Sequence, residues 1–158
     1  MEKAYEALRD ADYALELLEQ CEENKQKFRI IFVACMTLLK TVGQVLVYKN
    51  ADPDVKKVAI ELFNEHKANA VQHDIYFKLI ERERGLIIHE YSVNLPEHDV
   101  PLIVEQENDA FLFELGDLYK PLADDEYFGN EDVRDLMKRA IDWWKVQLCT
   151  IEKRLTNL

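Results

Sequence analysis

The sequence predicts a mainly all-α fold: a four- to five-helix bundle with a short β-hairpin or loop insertion before its last helix. Three observations predict it. Apolar residues recur at three- and four-residue spacing along most of the chain, the period of a helix with one buried face. Only four Gly and four Pro punctuate the 158 residues. Three of those prolines fall between Leu95 and Gly129, where the helical period fails. A chain of this length is expected to form one domain over residues 1–158, with the insertion at about 95–129, and its single core buries about two-thirds of the unfolded surface.

Each element follows from its own pattern. Tyr5, Leu8, Ala11, Leu15 and Leu18, with acidic residues between them, mark a first amphipathic helix. Phe28, Ile31, Phe32, Cys35, Leu38, Leu39, Val42, Val45 and Leu46 mark a second, with so few polar interruptions that it is expected to be the most buried element. In "KNADPDV", Asp52 is placed to cap a third helix, Pro53 to occupy its first position and Asp54 to favour the positive end of its dipole. That helix runs through Val55, Val58, Ala59, Leu62 and Phe63. The pattern weakens in "HKANAVQHD" before a fourth helical stretch from about His73 to Tyr91, which leaves open two helices or one kinked helix. Gly85 inside it costs about 1 kcal/mol relative to Ala, so a bend or a close contact is expected there.

Within the insertion, "VPLIV" and "AFLFEL", separated by "EQEND", read as a short hairpin, and "GDLYKPLADDEYFGN" as an irregular acidic loop. The last helix is the clearest. Asn130 is placed to cap it, Glu131 and Asp132 open it, and Val133, Met137, Ile141, Trp144, Leu148, Ile151 and Leu155 form one stripe. Lys153 and Arg154 suit its C-terminal end.

Cys21, Cys35 and Cys149 are odd in number and widely spaced, and no Cys-x-x-Cys pair or Cys/His cluster of zinc-site spacing occurs. They read as buried thiols of a reducing cytosol. The acidic, amphipathic N-terminus is neither a secretory signal nor a transit peptide. The most apolar stretch, Ile30 to Leu39, is too short to span a bilayer and is flanked by Arg29 and Lys40. A soluble, cytoplasmic protein with no membrane partner is expected.

The net charge of −11 disfavours non-specific nucleic-acid binding. It is unevenly placed, however. Residues 1–24 carry −6, residues 25–92 carry +3 and residues 93–158 carry −8. The positive segment closes with "RERGLIIHEYSV", residues 82–93, which holds Arg82, Arg84, His89 and Tyr91. On a regular helix Arg84 and His89, five residues apart, lie about 140° from each other around the axis and do not share a face. Arg84 and Tyr91 share one, as do Arg82 and His89. Convergence of Arg84 and His89 on one substrate therefore requires a bend near Gly85 or a second subunit.

Arg followed four to six residues later by His, on a helix of a small all-α protein, resembles the signature of the HEPN superfamily (higher eukaryotes and prokaryotes nucleotide-binding domains). "RGLIIHEY" is similar to the form with Arg, four residues, His, any residue and Tyr found in HEPN toxins paired with nucleotidyltransferase antitoxins. The resemblance covers roughly residues 5–92 and the final helix. It implies a homodimer in which both copies of the motif line one cleft and cleave RNA without metal or other cofactor, and, in the toxin branch, a nucleotidyltransferase partner.

Such cleavage has a sound chemical basis. Attack of a ribose 2′-hydroxyl on its phosphate needs a base, an acid for the leaving oxygen and cationic donors for the phosphorane. An imidazole, with an ordinary pKa of about 6.5, takes either proton role. A two-fold axis supplies the second His, and guanidinium groups add bidentate phosphate contacts. The resemblance thus implies His89 as general acid/base, Arg84 as phosphate clamp and Tyr91 as a phosphate or substrate contact, or as the residue a partner modifies. Arg82 satisfies the looser spacing and shares the clamp assignment. Gly85 stands where the nuclease branch usually has a polar residue, which favours a second reading, a HEPN-like dimer that binds a protein or nucleotide without cleaving. A third is a helical adaptor whose hairpin and acidic loop recruit a partner.

Other candidates carry less. His66 and His73, seven apart with Glu65 and Asn69 nearby, lack the His-Glu-x-x-His and Glu-x-x-His patterns and read as solvated helix histidines, so no metal site is expected. Trp144 falls on the core stripe and Trp143 beside it, which favours core or dimer packing over base stacking. The acidic run "ADDEYFGNED" lacks the spacing of a calcium loop.

Overall fold

The computed structural model describes residues 1–21, 24–48, 51–93, 95, 101–106, 109–114, 121, 127–129 and 131–158, with backbone alone at 101–106 and 109–114. The fold is a mainly helical bundle. Its elements are α1 (Glu2–Glu19), α2 (Lys25–Val47), α3 (Pro53–Ala68), a 3-10 turn (Ala70–His73), a π-helical segment (Ile75–Ile80), α4 (Glu81–Glu90), strands β1 (Pro101–Gln106) and β2 (Asp109–Glu114), and α5 (Val133–Thr156).

The apolar stripes assemble the bundle. α2 packs against α1, α3, α4 and α5, and α1 and α3 also pack against α5. Phe32, Cys35, Met36, Leu39, Val42 and Leu46 of α2 are buried against Ala11, Leu15 and Leu18 of α1 and the stripe of α5 from Val133 to Ile151 in one apolar cluster. At 23 residues α2 is long and apolar enough to cross a bilayer, well beyond the ten-residue run from which the sequence predicts a segment too short. The apolar period continues through Thr41 and Gly43 to Val47, and the helix uses it to join four others.

Helix ends follow local chemistry. Asp52 caps α3 by accepting from the N–H groups of Asp54 (2.9 Å) and Val55 (3.2 Å), with Pro53 at the first helical position as expected. α5 departs from expectation: its cap is Asp132, which accepts from Arg134 N–H at 2.9 Å, and Asn130 lies outside the described residues. Asp132 is a better cap because its second oxygen also takes the Arg134 side chain at 2.6 Å. Its backbone forms a bridge to Pro121. The hairpin ladder runs Pro101↔Glu114 to Gln106↔Asp109, longer than the five-residue connection "EQEND" implies. Most of the acidic loop lies outside the described residues.

The third and fourth helical stretches are two separate helices and not one kinked helix. α3 ends at Asn69, whose N–H bonds the His66 carbonyl at 3.1 Å, and a 3-10 turn and a π-helical segment precede regular α4. The helical irregularity therefore lies at residues 70–80. Gly85 sits within regular α-helix, and a β-carbon built there meets nothing within 4 Å, so neither the expected bend nor the expected close contact exists. Gly43 does have that role: a β-carbon there would lie 2.8 Å from the Trp144 indole, so the missing side chain is what lets α2 and α5 approach.

Cys21 and Cys35 are buried thiols, but Cys149 is exposed, because it lies off the apolar stripe of α5. Burial, with the charge of Asp12, pushes the Cys35 thiol up to about 12.

Candidate functional site

α4 carries the motif, and its regular α-helical geometry separates the motif residues. Glu83 and Ile87 face the core, whereas Ile88, His89 and Glu90 are exposed and Arg84 is half-buried. Arg84 does not pair with Glu81 or Glu83. Glu81 instead takes Lys40 of α2 at 2.9 Å, and Glu83 is fully buried. Among the described residues Arg84 and His89 have no hydrogen bond or ion pair, so both side chains are available to a ligand. Within one chain they remain about 140° apart around the helix.

Tyr91 does not continue the helix and so does not share a face with Arg84. It ends α4 in the left-handed conformation (φ 51°, ψ 30°), its N–H bonding the Leu86 carbonyl. It is the one non-glycine residue with positive φ among the described residues. A bulky side chain there costs on the order of 1–2 kcal/mol. Arg29 of α2 holds the Tyr91 side chain: its guanidinium donates to the phenol oxygen at 3.0 Å and lies 5.2 Å from the ring centre. In the sequence Arg29 stands out only as a flank of the most apolar run, not as a site residue. Sixty-two positions separate it from Tyr91, and the basic cluster "KQKFR" is the only local signal.

Arg82 lies on the same face of α4 as His89, and its guanidinium sits 5.8 Å from the Tyr127 ring centre. Lys78 of the π-helical segment lies 3.7 Å from that centre on the same ring. Arg82 is thus engaged with the segment before α5, whereas Arg84 is not paired within the described residues. The cationic neighbourhood of the motif comprises Arg82, Arg84 and Lys78 together with Arg29, all from the one net-positive part of the chain.

His66 is not solvated, and His73 is only partly so. His66 is 4% exposed, and its ring lies 3.9 Å from that of His73, centre to centre. Trp143 donates its indole N–H to His73 Nδ1 at 3.1 Å. Burial, with the neighbouring His73, lowers the His66 pKa to about 4, and burial also lowers that of His73. The sequence spacing of seven places the two on one face of an uninterrupted helix, but the contact arises because the chain turns back at Asn69. Trp144 is buried in the core as expected, and Trp143 packs against Tyr76, with ring centres 5.0 Å apart, as a seam between α5 and the π-helical segment.

Beside Trp143 an open groove of about 380 Å³ is lined by Asp74, Ile75, Arg139, Asp142, Val146 and Gln147. No group of three or more His, Cys, Asp or Glu side chains suited to a metal occurs among the described residues. No family model, curated protein or solved structure matches the chain.

Proposed function

We propose that the protein is a HEPN-like, metal-independent endoribonuclease acting as a cytoplasmic homodimer, with His89 as general acid/base and Arg84 as phosphate clamp. One observation carries the reading: α4 presents an exposed His89 and a half-buried Arg84, neither of them paired among the described residues, and it ends in a strained Tyr91 held by Arg29. Strain of this kind in a non-glycine residue persists where surrounding contacts over-determine it, and such positions cluster at functional sites. Because Arg84 and His89 diverge around their own helix, the active cleft in this reading forms between two copies, each supplying one imidazole to RNA. Arg82, held at Tyr127, positions the helix and meets the phosphate backbone at the cleft edge, while Tyr91 and Arg29 contact the neighbouring phosphate. In the toxin branch a nucleotidyltransferase partner would act on this same exposed Tyr91.

The test is incubation of purified protein with single-stranded and hairpin RNA in excess EDTA. Cleavage by the wild type that falls by about 10²–10⁴-fold in His89→Ala, and markedly in Arg84→Ala, supports the assignment. Cleavage abolished by EDTA, or retained by His89→Ala, overturns it. A second reading, a non-cleaving HEPN-like dimer, is favoured by Gly85, which leaves the position next to Arg84 without any polar side chain. Absence of cleavage with dimerisation intact selects it, and a monomer without cleavage selects the adaptor.

A further inference from the structure

We propose that His66 and His73 form a proton-operated latch that holds the 3-10 turn and the end of α3 against α5 when both rings are neutral and releases them on acidification. Three observations on the seam support it. His73 Nδ1 accepts the Trp143 N–H at 3.1 Å, so that nitrogen carries no proton in the closed state. A second proton on His73 would place two donors face to face and break the bond. His66 Nδ1 is buried with no hydrogen-bond partner among the described residues, so a proton added there would find no acceptor among them. The two rings lie 3.9 Å apart, tilted by 38°, with Phe63 and Trp143 edge-on to His66 at 5.9 and 5.5 Å. Two imidazolium charges at that separation repel in a site walled by aromatic rings.

The charged groups around the pair do not offset this. Glu65 on α3 is engaged by both terminal nitrogens of Arg154 on α5, each at 2.7 Å. Glu65 favours a charge on His66, as does a hydrogen bond with Gln147, and Arg154 disfavours it, but burial and the neighbouring His73 prevail and hold the His66 pKa low. Asp74 is the carboxylate that favours a charged His73, but it also accepts the Ile75 N–H at 2.7 Å. Arg139 and Asp142 line the groove beyond Trp143, and Arg139 is bonded to Glu131.

A shared metal does not fit the pair. With metal–nitrogen distances of about 2.0–2.1 Å, ring centres this close would narrow the nitrogen–metal–nitrogen angle to roughly 75°, well below tetrahedral.

The element held by the latch is weak elsewhere. The 3-10 turn buries no residue, Val71 in it is 86% exposed, and Asn69 bonds Gln72 within the turn itself at 3.0 Å. The His73 ring is therefore what ties the turn to α5, and local opening needs no loss of the main core. Opening uncovers the indole edge of Trp143 and the amide of Gln147 at the groove.

The sign follows from proton linkage. Below the ordinary imidazole value of about 6.5 the open form binds protons that the closed form refuses, so opening grows as pH falls, until the closed form also protonates near 4. Hydrogen exchange, corrected for intrinsic rates, is measured at about pH 7.5 and about pH 5. The amides of residues 66–74 are expected to exchange roughly tenfold or more faster at the lower pH, while those of α1 and α2 change little. His66→Phe, which keeps the aromatic packing, is expected to shrink the difference to the part that His73 alone contributes. Equal acceleration throughout the chain, or the same acceleration of 66–74 in His66→Phe, overturns the latch. Should that variant not fold, the imidazole carbon-bound protons of the wild type decide: titration of both rings at the ordinary value, with 66–74 exchange unchanged, also overturns it.

Discussion

A methyl group added at Gly43 meets the Trp144 ring at 2.8 Å and Phe63 at 3.4 Å, whereas one added at Gly85 meets nothing. Both glycines lie within α-helices, so Ala at either gains about 1 kcal/mol of helix propensity. At Gly85 that gain is uncontested. Gly85→Ala is expected to stabilise the protein by about 0.5–1 kcal/mol, raising the thermal midpoint by roughly 2–4 °C. At Gly43 the added methyl must displace an indole that is wholly buried and in contact with Phe63, Tyr76 and Trp143. Overpacking of this kind costs about 1–3 kcal/mol, so Gly43→Ala is expected to be destabilising by about 1 kcal/mol net. Thermal or urea melts of the two variants check the opposite signs; a stabilised Gly43→Ala would mean that α2 and α5 pack less closely than described. The contrast also separates what a residue type conveys from what its surroundings add. Gly85 breaks the helical pattern of the sequence yet has open space around it, and Gly43 carries the steric role without any local sign of it.

Between elements, the information sits in stripes and caps. The helices α1, α2, α3 and α5 are legible in the sequence because each buries one face, and period-3.6 spacing survives whatever the neighbouring element is. The junction from Asn69 to Ile80 shows in the sequence only as the weakened pattern over "HKANAVQHD"; its conformation is not legible, since 3-10 and π-helical turns change the residues per turn without a residue signature of their own. That change rotates every later side chain, including those of the motif on α4, relative to a straight continuation of the pattern. It is also why two histidines read as surface groups close on each other instead. The caps give a test at this scale. Asp52 satisfies two backbone donors at an exposed helix start, whereas Asp132, 8% exposed, holds one backbone donor and both Nε and Nη2 of Arg134 at 2.8 and 2.6 Å. Asp52→Ala is expected to cost about 1 kcal/mol. Asp132→Ala is expected to cost about 2 kcal/mol, because it also removes the two bonds from Arg134 Nε and Nη2 to this carboxylate. Urea midpoints in that order support Asp132 as the start of α5, and equal midpoints place the start elsewhere.

For the molecule as a whole, the decisive property is whether two copies meet at α4. Ile88 and Tyr91, at and just beyond the end of that helix, are 48% and 69% exposed, and Ile30, next to Arg29 on α2, is 57% exposed. Large apolar side chains scattered on a surface need no explanation singly, but these flank His89 and the Arg29–Tyr91 pair. A two-fold contact through Ile88 would bring a second His89 close to the first, and a stable interface of this type buries about 800 Å² on each partner. Charge works the other way. At −11, two copies repel, so association is expected to strengthen as salt screens the acidic segments, while RNA binding of the proposed kind, through Arg82 and Arg84, would weaken over the same range. The motif residues are legible in the sequence as residues, but whether two copies bring them together is not, because a contact across a symmetry axis would leave no trace in spacing along one chain. Ile88→Glu decides the matter. In a dimeric site the variant is expected to sediment as a monomer with unchanged helix content and to lose RNA cleavage along with dimerisation, although it alters none of the proposed reacting groups. Cleavage that persists in the monomer would place the whole reaction within one chain, where His89 and Arg84 point apart, and would return the phosphate contact to Arg82, which shares the His89 face.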